Sequence, residues 1–291
     1  MSATGIVEPP PYAVVQANVA TALAEDLRDG DVTASLLADG DDIAYLLCKQ
    51  DAVVAGRPWF DACHRALDPE VRIDWRVDEG DRVAAGTVLA TLAGRSRALV
   101  SAERSALNFL QTLSATATVT AAFVDAVRGT RAKILDTRKT LPGLRLAQKY
   151  AVRVGGGVNH RIGLYDAVML KENHIHAFGS VAAAIRAARA AQPALPLIVE
   201  VETLAQLRDA LNEGCERILI DDFDADTRRE AVKIADGRIP LEVSGSVSLD
   251  TVRGIAEDGV DCISIGALTK HVQAIDLSMK LGPVPAQYGG A

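Results

Sequence analysis

After residue 130 the sequence alternates short apolar runs with helical patterns, and this rhythm constrains the fold more than any other feature. The runs are AKILD (132–136), DAVMLK (166–171), PLIVEV (196–201), RILID (217–221), PLEVS (240–244) and DCISI (261–265). Helical apolar spacing occupies 178–191, 203–213, 224–234 and 248–258 between them. Strands this short, separated by helices this long, are repeated βα units and require a parallel sheet. No nucleotide-binding glycine fingerprint opens any unit. Six such units therefore favour a barrel or part-barrel, with an open doubly wound sheet as the alternative.

The first part of the chain is built differently. A proline-rich arm (Pro9 to Pro11) leads into VVQANVATALAEDL, which has helical spacing, and GDVT (30–33) reads as a turn. IAYLLCK and VVAG are strand candidates, WFDACHRAL a helix, and VRIDWRV a half-buried strand. DEGDRVAAGTVLATLAG (78–94) has turn residues between alternating apolar ones and reads as hairpins. The longest helical pattern, about 102–128, joins this region to the βα repeats. The expected division of this α/β chain is an N-terminal domain over 1–115, to which 270–291 can return, and a C-terminal α/β barrel over 116–269.

At 291 residues with a formal charge of −7, the chain has no general attraction for nucleic acid or for an anionic membrane. Yet from Arg131 to Lys171 there are nine Lys and Arg against two Asp. So much local positive charge calls for an anionic ligand in a pocket. The four cysteines are widely spaced, with no C-x-x-C pair, which suits a reduced compartment and no structural zinc. The N-terminus lacks the pattern of a secretory signal, and no long uncharged apolar run suggests a membrane span. The expected location is cytoplasmic.

In parallel βα folds, chemistry collects at the C-terminal ends of strands. Those ends carry Asp136 with Arg138 and Lys139, then Lys171, Glu200 with Glu202, Asp221 with Asp222, Glu242 with Ser244 and Gly245, and Gly266. The early units contribute cations, including Arg161, with His160 and His174 nearby, and the later ones carboxylates. A cationic wall facing an acidic one suits an anionic substrate beside a magnesium–diphosphate group. VSGS (243–246) and SIGAL (264–268) are small-residue turns whose free N–H groups can grip a phosphate. In GGGVNHR (155–161) the glycines permit either a flexible loop or a close approach that delivers His160 and Arg161 to a ligand. His64, within an apolar helix, reads as structural, and Arg104 by spacing alone is a surface residue.

Taken together, EDLRDGDVT (25–33), ERSALNFLQTLS (103–114), DTRKTLPGLR (136–145), KYAVRVGGGVNHRIGLYDAVMLKENH (149–174), VEVET (199–203), LEVSGSV (241–247) and ISIGALTKHVQAIDLSMK (263–280) resemble the quinolinate phosphoribosyltransferase family. The resemblance implies an N-terminal α/β sandwich and a C-terminal incomplete (β/α) barrel with about six parallel strands. It implies a magnesium-dependent, decarboxylating glycosyltransferase that joins quinolinate to 5-phosphoribosyl 1-diphosphate in NAD biosynthesis. It also implies a homodimer in which Arg104 reaches the partner's quinolinate, beside Arg138, His160, Arg161 and Lys171. Lys139, Glu200 and Asp221 match positions that handle the diphosphate, with Glu200 and Asp221 as magnesium ligands, and Ser244, Gly245, Ser246 and Gly266 fall in the 5-phosphate turns. Two departures are Ser114-Ala115 for the family's Ser-Gly pair and Asp221-Asp222 for its Asp-Asn pair. The rival readings are a nicotinate phosphoribosyltransferase, which should need a less basic acceptor site, and a carrier module built on the 78–94 hairpins. A carrier needs a lysine at the hairpin tip, and none occurs from 51 to 132.

Overall fold

A computed structural model describes residues 7–289. In chain order the first elements are α1 (Tyr12–Leu27), β1 (Asp41–Cys48), β2 (Ala52–Val53), α2 (Arg57–Leu67), β3 (Arg72–Trp75), β4 (Arg82–Val83), β5 (Val88–Arg95) and α3 (Ser96–Ala126). Then come β6 (Lys133–Leu135), α4 (Arg145–Val154), β7 (Val168–Leu170), α5 (Glu172–Phe178), α6 (Val181–Ala191), β8 (Leu197–Val201), α7 (Leu204–Glu213) and β9 (Arg217–Ile220). The last are α8 (Ala225–Ala235), β10 (Leu241–Val243), α9 (Leu249–Glu257), β11 (Cys262–Ser264), α10 (Ala267–Lys270) and β12 (Leu277–Leu281). These form two compact units. The first takes residues up to Ala121, Leu141–Gly156 and the segment from Lys270 onward, and the second takes Ala122–Thr140 and Gly157–Thr269.

The first unit centres on an antiparallel sheet of order β12-β1-β5-β3. Period-two alternation divides β1: Ala44, Leu46 and Cys48 enter the main core, while Tyr45 and Leu47 pack with Val88 under half-buried Val284 and Tyr288. Helices α1 to α4 add Val19, Trp59, Phe60, Leu110, Leu113 and Tyr150 to that core. By length and composition α3 could cross a membrane, but its apolar side chains are spent on this core. The 78–94 stretch does not fold back on itself as hairpins. Its first strand, β4, pairs with β2, and its second, β5, lies between β1 and β3. The alternation was real, but the partners are remote in sequence.

The segment 141–156 differs from the expected unbroken second domain over 116–269. Ala147, Tyr150 and Ala151 of α4 are buried in the first unit's core, so the chain leaves the barrel after β6 and returns before β7. This also accounts for two of the three consecutive glycines. A Cβ on Gly155 would collide with Ala117 O and Thr120 Cβ on α3, and Gly156 takes a φ of 87° as the chain turns away from α4.

The second unit is a six-stranded parallel sheet of order β6-β11-β10-β9-β8-β7. From β7 onward each strand adds beside its predecessor, always in the same direction, and β6 comes last. That is the cyclic order of a (β/α) barrel opened between its first two strands, with no topological switch point, so the doubly wound alternative falls. At the opening, Leu135 makes a single parallel bridge to Val158. Three helices start with a side-chain cap on the strand-end side: Ser180 Oγ accepts from Ala183 N–H, Thr203 Oγ1 from Gln206 N–H, and Asp224 Oδ1 from Thr227 N–H.

Candidate active site

Register ties Lys133, Cys262, Glu242, Leu219 and Glu200 into one row across the sheet. Side chains alternate along each strand, so members of a row share a face. Their neighbours Ile134, Ile263, Val243, Ile220 and Val201 form the opposite, apolar face and are buried. The polar row therefore lines the inside of the barrel. Lys171 falls level with Glu200, because Leu170 pairs with Val199, and its Nζ donates to Glu200 Oε2 at 2.8 Å. Two residues beyond Glu200, Leu219 and Glu242 come Glu202, Asp221 and Ser244, which place carboxylates and a hydroxyl at the mouth.

The basic side of the mouth is held by specific hydrogen bonds. Lys139 N–H donates to Thr137 Oγ1 at 3.1 Å, and its carbonyl accepts from Thr269 Oγ1 at 2.9 Å. Its side chain lies across Gly266, where an added Cβ would stand 2.9 Å from Lys139 Cδ. The glycine turn after β11 and the basic segment after β6 therefore meet. Gly266 is small because Lys139 needs the space.

Asp136, directly after β6, is fully buried and acts as a brace. Its Oδ1 accepts from His160 N–H at 2.7 Å and its Oδ2 from Asn159 Nδ2 at 2.7 Å. Arg161 follows; its Nη1 donates to Ala167 O at 3.2 Å. Burial holds the Arg161 guanidinium below its ordinary pKa, the charge of Arg138 pushes the same way, and Asp166 opposes. Two guanidiniums within each other's field favour a ligand bearing more than one negative charge. A cavity of 310 Å³ lined by His160, Arg161, Asp166, Pro196, Glu216 and Arg217, among others, lies at the N-terminal starts of β7, β8 and β9.

The remaining expected residues are placed as follows. Ser244 is half-buried, and Gly245 and Ser246 are exposed in the turn before α9, where Ser248 N–H donates to Thr251 Oγ1 at 3.0 Å. Arg104 is exposed on α3 in the first unit. His160 is almost fully buried and faces Glu242. The sequence reading chose neither Glu242 nor Arg217 as a site residue. The available signal was an ionisable residue in the middle of an otherwise apolar strand.

The run of nine basic residues also divides. Arg131 pairs with Asp261 and Lys133 is exposed at the start of β6, while Arg145, Lys149 and Arg153 lie on α4 in the first unit, where Lys149 is buried and Arg153 Nη2 donates to Glu8 O. Arg138 and Lys139 follow β6 and Lys171 follows β7 on the strand-end side, while Arg161, which donates to Ala167 O just before β7, feels the charge of Arg138. Among the described residues no cluster of three or more His, Cys, Asp or Glu could cage a metal. Glu200 and Asp221, in adjoining rows, fit an ion that is bound by one or two carboxylates and completed by water and substrate phosphates, as magnesium is.

An open (β/α) barrel with cations and carboxylates at its strand ends belongs to the class of enzymes that act on small anionic substrates. Comparison with known proteins narrows that class. The profile described as quinolinate phosphoribosyl transferase, N-terminal domain, matches residues 31–114, and that of the C-terminal domain matches residues 116–280. A nicotinate-nucleotide pyrophosphorylase (carboxylating) of Mycobacterium leprae is 46% identical over 271 residues, covering 89% of this chain and 94% of that protein. A quinolinate phosphoribosyltransferase (decarboxylating) of Nicotiana tabacum is 39% identical over 300 residues, covering 95% and 85%. The solved nicotinate-nucleotide pyrophosphorylase of Francisella tularensis superimposes with a TM-score of 0.93 at 41% identity, covering 96% of this chain and all of that one. The chain belongs to the quinolinate phosphoribosyltransferase family.

Proposed function

We propose that the protein transfers the phosphoribosyl group of 5-phosphoribosyl 1-diphosphate to quinolinate with loss of carbon dioxide, giving nicotinate mononucleotide for NAD biosynthesis. The observation that carries this reading, beside family membership, is the pairing of Arg138 and Arg161 within each other's field. Quinolinate has two adjacent ring carboxylates, and a doubly cationic wall neutralises both. Nicotinate has one, so it would leave a desolvated cation unpaired, which is costly in a partly buried site.

The pyridine nitrogen donates its lone pair to C1 of the ribose as the bond from C1 to diphosphate oxygen breaks. Arg138, Arg161 and Lys171 orient the acceptor ring through its carboxylates, which brings the nitrogen into line. Positive charge developing at C1 is stabilised by the nearby carboxylates, and Lys139 neutralises the departing diphosphate. Lys171 and Glu200 are ion-paired, so each neutralises part of the other's charge at the strand ends. Glu200 and Asp221 would hold magnesium, which when bound supplies further charge neutralisation to the diphosphate. In the product the ring nitrogen is a pyridinium. It stabilises the electron pair left on carbon when the neighbouring carboxylate departs as carbon dioxide, and that carbon then takes a proton.

The reading extends to a cytoplasmic homodimer in which Arg104 reaches the partner's quinolinate. Exposure of Arg104 on α3 supports this, since a surface cation is available to a second subunit. The test is a steady-state assay with diphosphate donor and magnesium, offering quinolinate and nicotinate in parallel and following mononucleotide and carbon dioxide. The expected result is a strong preference for quinolinate with one carbon dioxide per mononucleotide. Equal use of nicotinate would overturn the assignment of the basic wall, and a mixture of Arg104→Ala with Lys139→Ala, each inactive alone, that regains no activity would be at odds with cross-subunit action.

A further inference from the structure

Glu242 is fully enclosed in the middle of β10 and has no part in the reaction as described. Its Oε2 accepts from Arg217 Nη1 at 2.8 Å. Its Oε1 has no hydrogen-bond partner and stands 3.4 Å from His160 Nε2. Burial alone would push this carboxyl up, but His160, Arg217 and Ser264 outweigh it and hold Glu242 below the ordinary carboxylate range. A charge so deeply buried is a poor stabiliser compared with an apolar side chain of similar volume, so its presence calls for another reason.

The orientation of His160 supplies one. Its Nδ1 accepts the Arg161 N–H at 2.7 Å. A ring nitrogen that accepts carries no proton, so the proton is on Nε2, the nitrogen that faces Glu242. Contacts then run unbroken from Arg217 to Glu242, to the His160 ring, to the Arg161 backbone. They end at the residue whose guanidinium feels Arg138.

We propose that Glu242 is a positioning residue acting through His160: its carboxylate holds the imidazole as the Nε2–H tautomer, and Nδ1 in turn fixes the Arg161 backbone and aims its guanidinium at quinolinate. The last link rests on the proposed function, while the ring geometry stands apart from any substrate. His160 on this view spends both nitrogens on the protein and acts on the substrate through Arg161.

The test uses the full-length protein with nitrogen-15-labelled histidine, observed by long-range proton–nitrogen NMR, with the His160 ring assigned by its loss in His160→Asn. In the wild type the expected spectrum has Nε2 protonated and Nδ1 unprotonated. In Glu242→Gln the ring signals shift, and the quinolinate KM rises by about tenfold while the donor KM changes by less than about twofold, as expected for removing the buried charge that faces Nε2. The double variant with His160→Asn should be no worse than His160→Asn alone. A wild-type ring protonated on Nδ1 overturns the proposal whether or not Glu242→Gln folds, and whatever the substrate proves to be. Additive losses in the double variant overturn action through His160. Ring signals as expected with an unchanged quinolinate KM overturn the link to Arg161, and the fault then lies with that part of the proposed site.

Discussion

The two units bury different things. The first unit's core is Trp59, Phe60, Leu46, Leu110, Leu113 and their like, with enclosed polar groups such as His64, Ser114 and Lys149 dispersed along its helices. The inside of the barrel holds Glu242, Arg217, Glu200, Lys171 and His160, joined by hydrogen bonds and ion pairs. Packing apolar surface stabilises a fold directly, whereas ordering buried charges stabilises it little and can cost stability. The comparison teaches that the first unit's interior is arranged for stability and the barrel's for chemistry. Substitutions should therefore separate the two.

The largest separation is expected at Arg161. Arg161→Met keeps the length and removes the charge, so quinolinate kcat/KM should fall by about two orders of magnitude or more, as for loss of a charged partner in a desolvated site. Relief of the repulsion from Arg138 should leave the melting temperature unchanged or raise it. Steady-state kinetics and a thermal melt decide this. A fall of several degrees in Tm would place Arg161 with the structural residues and break the comparison.

Within the first unit, two buried titratable groups should tilt stability in opposite directions. Both His64 nitrogens lack a hydrogen-bond partner, the ring packs 4.8 Å from Phe60, and burial pulls its pKa down to about 4. The unfolded chain binds that proton near the ordinary value, so stability present above it is lost as pH falls. Between about pH 7.5 and about pH 5 the loss should be about 2 kcal/mol. Burial pushes Glu79 up to about 7, against the opposing pull of the Gly56 and Arg57 N–H groups that it caps. Here stability is full below the unfolded value and is lost as pH rises through about 7. In the wild type the slopes offset between the two unfolded values. Urea denaturation of His64→Leu should expose the Glu79 slope, falling with rising pH, and Glu79→Gln the opposite one. Parallel slopes in the two variants would contradict this.

These contrasts also explain what could be read from the sequence. The six barrel strands were legible because apolar runs between helical patterns have few other folds. RILID at 217–221, for example, is realised as β9 over Arg217–Ile220. The strand-end residues were legible for the same reason, since position in a βα unit fixes the end on which a residue falls. The pairing of 78–94 was not, because alternation specifies a strand's faces and not its partner. Nor was the division of the basic run, because Lys149 and Lys139 are close in sequence yet belong to different units. Glu242 was visible as an anomaly, but its partners Arg217 and His160 come from other units of the repeat, and only folding brings them together.

A smaller effect is expected at Gly266, where the barrel mouth lacks room. Gly266→Ala places a methyl against Lys139 Cδ, the middle of a flexible side chain, so stability should change by less than about 1 kcal/mol. The displaced ammonium should raise the donor KM by several-fold while leaving quinolinate KM alone. An equal rise in both would mean that Lys139 serves the acceptor and not the diphosphate.

The smallest effect tests whether every charge at the mouth is functional. Asp222 is exposed and holds a left-handed backbone, φ 56°, which aspartate and asparagine tolerate better than most side chains. The conformation thus accounts for either residue at this position, and the family's asparagine differs here by one charge alone. Asp222→Asn should leave stability within about 0.5 kcal/mol, since a surface substitution that keeps the backbone conformation changes little. Its one expected consequence is electrostatic: a negative charge near Asp221 is removed, so, on the proposed function, half-saturation by magnesium should shift upward modestly, and less at high salt than at low. A shift that ignores salt would mean that Asp222 touches the ion or the diphosphate directly, and the acidic wall would then extend one residue past β9.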